Sequence, residues 1–514
     1  MVTSVSARVS GTPHYRPPAV TGLTDLLDRQ VRERPAAQAL VATGDRLPLG
    51  YRDLAALADR LAQELVSAGL RRGDVVGLVS SNTVEFVVAL LGAARAGLVT
   101  APLNPAVTAA ELDFRTRELG ARAVLAAEHG VGWTVRVVLR PGGAATVGLR
   151  PGALAPGAPR GLAEDDALVL FTAGTMGRAR TVPLTHGNVA ASVRGICATY
   201  ELGPGDATVA VMPFFHGHGL FATLLSTLAT GGRVLLPACG RFSAETIWDD
   251  LRAAGATWFT AVPSLHEALL DRSETQDPGP HPPPLRFVRS CSAPLNAASQ
   301  RALERVFRAP LLSAYGTTES THQVSSEPLP ERGQLRHGSV GRATGVRLRV
   351  VGPDGRVCPA GVRGEVWVQG PTVARGYLAE PAGTARGFTA DGWLRTGDLG
   401  SLDEEGYLSL AGRIENLIAR GGRTVSPEYV EDVLAGCPSV AEAAVFGVPD
   451  GDGQRVGAAV VVRGEESAGP EEILRYCRDR LAAFAVPDRL VLVPSLPRTA
   501  QGGLDRLALR ERYA

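Results

Sequence analysis

Hydrophobic positions along the chain fall into two alternating rhythms. Leu54, Leu57, Ala58, Leu61 and Leu65 recur at intervals of three and four, the spacing of one helical face. Val75–Val79 follows as a short apolar run with strand character. Glu85–Ala96 returns to the helical period and Leu98–Pro102 to the strand-like one. The alternation reappears at Ala207–Met212, Phe221–Ala229, Arg233–Leu236, Ala244–Ala254 and Trp258–Val262. Helices alternating with short buried strands predict βαβ units and mostly parallel sheets. From about residue 345 the pattern changes to short strands and turns, at Val346–Val351, Gly364–Gln369 and Tyr407–Leu410. After Arg413 a fresh α/β segment begins, with helices near Pro427–Ala435 and Pro470–Leu481. Pro141 to Pro159 is rich in Gly, Pro and Ala and reads as an irregular surface stretch.

Composition narrows the function classes. The chain has 514 residues, room for about three domains or subdomains. A net charge of +1 provides no global field for nucleic acid or an acidic membrane. Residues 1–18 hold Arg8, His14, Arg16 and prolines but no apolar h-region, and no apolar run spans a bilayer. The cysteines Cys197, Cys239, Cys291, Cys358, Cys437 and Cys477 make neither a CxxC pair nor a zinc spacing, so reduced thiols and a cytoplasmic location are expected. One feature is unusual: all 53 basic residues are arginine, with no lysine anywhere. A GC-rich genome thins lysine. Its complete removal points also to exclusion of primary amines.

Four short motifs carry candidate chemistry. Phe171-Thr172-Ala173-Gly174-Thr175-Met176-Gly177-Arg178-Ala179-Arg180 follows the apolar strand Ala167–Phe171, and such a Gly/Thr loop can turn backbone N–H groups toward phosphate oxygens. Tyr315-Gly316-Thr317-Thr318-Glu319 combines an aromatic face, a tight turn, hydroxyls and a carboxylate, as an adenine ring and a phosphate-bound Mg2+ require. In Asp391-Gly392-Trp393-Leu394-Arg395-Thr396-Gly397-Asp398 an Asp beside a Gly turn can accept both ribose hydroxyls. Gly412-Arg413-Ile414-Glu415-Asn416, followed by Gly421-Gly422-Arg423, suits a hinge. Each motif alone is equally a turn, a strand end or a loop.

In this order and spacing the motifs resemble the adenylate-forming superfamily of acyl-CoA synthetases, luciferases and peptide-synthetase adenylation domains. The resemblance spans nearly the whole chain and includes Leu184-Thr185-His186-Gly187-Asn188, Pro213-Phe214-Phe215-His216 and Gly364-Glu365 through Gly376-Tyr377. Within that superfamily the oxalyl-CoA synthetase group is the nearest match. The carrying segments are Phe215-His216-Gly217-His218-Gly219-Leu220, Ala256 through Pro263, Arg289-Ser290-Cys291-Ser292-Ala293, Thr318 through Pro330 and Arg420 through Pro427. The implied fold is mixed α/β: an N-terminal AMP-binding domain over 1–412, with two α/β subdomains and a β-rich one, a hinge at 413–416, and a mobile lid over 417–514. The implied chemistry is ATP plus an acid giving an adenylate and pyrophosphate, then transfer to an acceptor such as CoA. By this resemblance Thr172, Gly174, Thr175, Gly177 and Arg180 handle the phosphates. Tyr315, Gly316, Thr318, Asp398 and Arg413 hold the nucleotide, Glu319 sits at Mg2+, and Glu415 marks the hinge. His216, Ser292 and His322 line an acid pocket suited to a short, polar substrate, while His186 and His218 read as structural and Cys291 as core.

The chain departs from the pattern at its lysines. The superfamily's phosphate loop runs TSGTTGxPK; here Ala173, Met176, Ala179 and Arg180 replace two hydroxyls, the proline and the lysine. The C-terminal catalytic lysine falls at Gly503 and the hinge-side lysine at Ala419, with Arg506 the nearest cation able to substitute. Three readings follow: an AMP-forming ligase with arginines in place of lysines, an ATP-dependent diazotase of natural-product biosynthesis that activates nitrite to diazotise an aryl amine, and a nucleotide-binding homologue that has lost catalysis. An activated nitrite nitrosates primary amines, and arginine's guanidinium is a poor nucleophile, which gives the missing lysines a chemical reason.

Overall fold

The computed structural model describes residues 15–42, 47–127, 132–140, 145–157, 161–172, 180–275, 283–420, 423–451, 453–463, 469–498 and 504–513. The first amphipathic pattern forms the helix Tyr51–Ser67, with Leu54, Leu57, Ala58, Leu61 and Leu65 all buried. It packs on the helix Val84–Arg95, which Thr83 caps by accepting from Phe86 N–H at 3.3 Å. Beneath them lies a seven-stranded sheet. Its centre is parallel, with Val75–Val79 flanked by Val99–Leu103 and Ala123–Ala126, and its two outer pairs are antiparallel.

A second sheet sets Trp258–Ala261, Phe287–Ser290 and Leu311–Tyr315 in parallel register and then reverses into two short antiparallel strands. Parallel strands buried on both faces are mostly apolar, as Phe259, Phe287, Val288, Leu311 and Leu312 are here, with Thr260, Arg289, Ser290 and Ser313 as buried polar exceptions. The β-rich region is an antiparallel sheet of Arg347–Val351, Gly364–Gln369, Leu394–Leu402 and Leu408–Arg413. The last segment has its own core. A three-stranded sheet of Val440–Asp450, Gly453–Val462 and Arg489–Leu492 packs against the helices Pro427–Ala435 and Pro470–Arg478 through Val430, Leu434, Val445, Val460 and Ile473.

Three sequence expectations need correction. The stretch from Pro141 to Pro159 is not irregular throughout, because Ala145–Arg150 pairs antiparallel with Trp133–Leu139 over six residue pairs. Phe221–Ala229 is not one regular α-helix: His218–Leu225 is wound as a π-helix and only Ser226–Thr230 is α-helical. π-Helical turns occur frequently at functional sites. The helix expected from Ala244 starts at Ile247, since Thr246 N–H bonds back to the Ser243 carbonyl in a turn.

Candidate active site

The C-terminal ends of parallel strands and the turns that follow them deliver the side chains. Leu311–Tyr315 ends at Tyr315, and the chain then turns through Gly316 into the single turn Thr318–Ser320. Gly316 is required there, because a β-carbon would stand 1.2 Å from the His322 carbonyl oxygen. Thr317 caps the turn, its hydroxyl accepting from Ser320 N–H at 3.2 Å. Ala374 N–H bonds the Glu319 carbonyl at 2.8 Å, fixing the carboxylate's base. The Tyr377 hydroxyl donates to Glu319 Oε1 at 2.8 Å. Burial, with the Glu319 charge beside it, raises the Tyr377 phenol well above its ordinary value, so it remains a donor.

Arg180 joins this cluster. Its guanidinium lies 4.9 Å from the Tyr377 ring centroid, donates to the Tyr377 hydroxyl at 3.4 Å and pairs with Glu380 at 3.6 Å. Its backbone closes the candidate phosphate loop. Thr172 N–H bonds the Arg180 carbonyl at 2.9 Å, and Arg180 N–H bonds the Thr172 hydroxyl at 3.0 Å. Gly174, Thr175 and Gly177 lie outside the described residues, as does Gly503.

A second cluster forms around Asp398. Sheet register sets Asp398 directly opposite Arg413, and Arg413 Nε lies 2.9 Å from Asp398 Oδ1. That N–H does not aim at the oxygen, so the contact is an ion pair rather than an aligned hydrogen bond. The Tyr315 hydroxyl donates to Asp398 Oδ2 at 2.5 Å, which leaves little of the ring exposed and draws Tyr315 into the core beside Val324 and Val366. Burial raises the Asp398 carboxyl above its usual range while the Arg413 charge pulls the other way. Arg413 also donates to the Thr396 carbonyl at 3.2 Å and stands 3.5 Å from Glu415, the residue placed at the hinge. Glu319 borders this knot, close enough to oppose ionisation of Asp398.

Of the residues expected to line an acid pocket, His322 contacts Arg289 directly and Ser292 reaches it through His218, while His216 stands outside this network. Arg289, on Phe287–Ser290, is fully buried. It donates to the Tyr200 hydroxyl, to His218 Nε2 and the Thr260 hydroxyl, and to His322 Nε2 and the Gln323 side-chain oxygen, all at 2.8–3.1 Å. The His218 and His322 rings stack with centroids 5.2 Å apart, and His218 Nδ1 is 3.2 Å from the exposed Ser292 hydroxyl. His218 therefore belongs with His322 and Ser292 rather than to the scaffold alone. The π-helix that begins at His218 needs Gly219, whose β-carbon would meet the Met212 and Pro213 carbonyls at 2.4 and 2.3 Å. Burial lowers His216 to about 4, and its Nε2 is buried without a partner among the described residues.

Other candidates resolve plainly. His186 Nδ1 accepts from Leu23 N–H at 3.2 Å and is structural. Cys291 is buried, and five described cysteines are free thiols. Arg423 stacks on Phe484 at 4.9 Å. Arg506 does not reach toward the site: it makes a bidentate pair with Glu431 at 2.8 Å, with Glu428 at 3.3 Å, inside the C-terminal segment. No group of three or more candidate metal ligands occurs among the described residues. Mg2+ fits Glu319 only in company with phosphate oxygens and water, the usual habit of that ion. No helix among the described residues is long and apolar enough to cross a membrane.

The AMP-binding enzyme family matches residues 27–378, and the AMP-binding enzyme C-terminal domain matches 429–502. The chain belongs to the AMP-binding enzyme family. It is 40% identical to the oxalate–CoA ligase of Arabidopsis thaliana over 508 residues, covering 96% of this chain and 98% of that one. It is 34% identical to the sulfoacetate–CoA ligase of Cupriavidus necator over 501 residues, covering 95% and 97%. The fold superposes on ATP-bound MatB from Rhodopseudomonas palustris with a TM-score of 0.83 and 32% identity, covering 96% and 99% of the two chains. The mixed α/β fold, with its large N-terminal and small C-terminal parts, is that of adenylate-forming enzymes.

Proposed function

We propose that the protein is an ATP-dependent, AMP-forming ligase that activates a small polar acid and passes the acyl group to CoA. The observation that carries this reading is the paired arrangement of Asp398, Tyr315 and Arg413 beside Glu319 and Arg180. In the first half-reaction an oxygen of the acid's carboxylate attacks the α-phosphorus of ATP and pyrophosphate leaves. In the second the CoA sulfur attacks the acyl carbon and AMP leaves. Asp398 offers its carboxylate to ribose hydroxyls, with Arg413 and Tyr315 holding it in place. Arg180 offers positive charge to the phosphates in place of the family's lysine, as a planar fork rather than a point charge. Glu319 is the carboxylate for Mg2+, which when bound screens the phosphate charge. The body is taken as 1–412, the hinge as 413–416 and the lid as 417–514. The similarity to oxalate– and sulfoacetate–CoA ligases supports a short acid, and the free thiols fit a cytoplasmic enzyme.

The lysine-free sequence favours one second reading, the diazotase, in which nitrite replaces the acid and an aryl amine replaces CoA. Both are tested by pyrophosphate and AMP release from ATP and Mg2+ against oxalate, sulfoacetate, aromatic acids, and nitrite with an aminobenzoate, each with and without CoA. CoA-dependent release with a short acid is the expected result. Release only with nitrite plus amine transfers the assignment to the diazotase, and no release with any acceptor overturns both in favour of a nucleotide-binding homologue.

A further inference from the structure

The guanidinium of Arg289 is held by a complete set of neutral acceptors. Its five N–H bonds meet five of them: Nε the Tyr200 hydroxyl, Nη1 His218 Nε2 and the Thr260 hydroxyl, Nη2 His322 Nε2 and the Gln323 oxygen. Among the described residues no carboxylate pairs with it, in contrast to the half-exposed Arg413, which has Asp398, and the more enclosed Arg506, which has Glu431. Buried charges are ordinarily paired, because an isolated one is costly. Arg289 is thus satisfied in hydrogen bonds and unbalanced in charge.

The arginine sets the direction of the bonds it makes. Guanidinium can only donate, so His322 Nε2 accepts; His218 Nε2, which also lies 2.6 Å from the Thr260 hydroxyl, accepts once both Arg289 Nη1 hydrogens are used, one on it and one on Thr260 Oγ. Each neutral ring then carries its proton on Nδ1. Burial first and the Arg289 charge next hold both rings well below their ordinary values, so the second proton is not taken up. His218 Nδ1–H faces Ser292 Oγ at 3.2 Å, which accepts it. The Ser292 hydroxyl hydrogen is therefore directed away from His218, and Ser292 is the exposed end of the chain of bonds.

We propose that Arg289 is a positioning residue that locks His218 and His322 as Nδ1–H tautomers and so turns the Ser292 hydroxyl outward as a donor to a second anionic group on the acid, a carboxylate or a sulfonate. This rests on the ligase reading for the identity of the ligand. The tautomer lock itself does not. The acid's activated carboxylate goes to ATP. Its other end carries the negative charge the buried guanidinium lacks, and once the bound acid shields Ser292 from water a methyl end leaves that donor without an acceptor, which is costly.

Two readouts test this in the full-length protein. Histidine 15N NMR at pH 8, with H218N and H322N for assignment, is expected to show both rings as Nδ1–H in the wild type. In R289M at least His218 reverts to the Nε2–H form. Either ring found as Nε2–H in the wild type overturns the proposal. In the pyrophosphate-release assay, R289M is expected to lower kcat/KM for oxalate, malonate or sulfoacetate at least 10-fold more than for acetate or propionate, with the KM for ATP unchanged. R289K, which keeps the charge but not the fork, falls between. A uniform loss across all acids with tautomers unchanged overturns it. If R289M does not fold by circular dichroism, the wild-type tautomers decide. If no acid is turned over, the ligase reading fails while the tautomer measurement still judges Arg289.

Discussion

The clusters around Asp398 and Arg289 solve the same problem, a buried charge, in opposite ways. Around Asp398 the charge is matched inside the protein by Arg413, and the Tyr315 hydroxyl fills a second lone pair. Around Arg289 the described residues supply hydrogen-bond acceptors but no counter-charge. The first arrangement can stand complete without ligand and presents a preset carboxylate to neutral hydroxyls. On the proposed reading the second is completed by an anionic group of the acid, so that neutral and charged ligand groups would meet differently prepared sites.

Removing the internal counter-charge is the most direct way to break this contrast. D398A leaves Arg413 and Tyr315 facing each other without the anion between them. Breaking a fully buried pair costs about 3–5 kcal/mol, and this one, with the Arg413 side chain 41% exposed, is expected to cost less. A clear drop in the melting temperature is expected together with near-complete loss of ATP-dependent pyrophosphate release. D398N keeps an acceptor for the Tyr315 hydroxyl and is expected to recover stability but not activity. Wild-type melting in D398A would show that the pair holds nothing together.

E319Q separates charge from structure. The glutamine side-chain oxygen still accepts from the Tyr377 hydroxyl, so the fold and melting temperature should be unchanged. Loss of one charge aligned with the reacting phosphates typically costs about 10²–10³ in rate. Turnover is expected to fall by that factor, with a matching rise in the Mg2+ needed for half-maximal rate. Unaltered Mg2+ dependence would remove Glu319 from the phosphate chemistry.

How much of this was legible in the sequence depends on whether the signal is local. Tyr51–Ser67 and Val75–Val79 carry their period in their own residues and were readable. Ala145–Arg150 was not, because Val147 alone of its six side chains is buried and the strand exists through its ladder with Trp133–Leu139. The Asp398–Arg413 contact lay within reach because both residues sit in motifs that sheet register then sets opposite each other. The network around Arg289 draws on Tyr200, His218, Thr260, His322 and Gln323, which no spacing connects. Only a strand order that brings Trp258–Ala261 beside Phe287–Ser290, with His218 at the start of a π-helix, assembles it. The sequence placed His218 in the scaffold for the same reason: its partners are distant along the chain. Arg506 illustrates the reverse error, since proximity in sequence to Gly503 suggested a reach that Glu431 prevents.

The smallest expected effect sharpens the comparison through pH. His266 anchors the strand of Arg289, its Nε2–H donating to the Arg289 carbonyl at 3.2 Å, and it is fully buried. Burial lowers it from 6.5 to about 4, with the bonds to the Arg289 and Ala261 backbone acting against that fall. A base whose folded value is depressed favours the folded state while neutral. Its contribution is whole above pH 6.5 and is lost as pH falls from there toward 4, because the unfolded chain takes up the proton first. The span corresponds to at most about 3 kcal/mol. H266Q keeps a donor for the Arg289 carbonyl and cannot titrate, so urea unfolding of the variant should lose less stability than the wild type between pH 6.5 and 4, with the two close to parallel above pH 7. Parallel curves across the whole range would mean that His266 is not held neutral, and that the strand carrying Arg289 sits in a wetter interior than its burial implies.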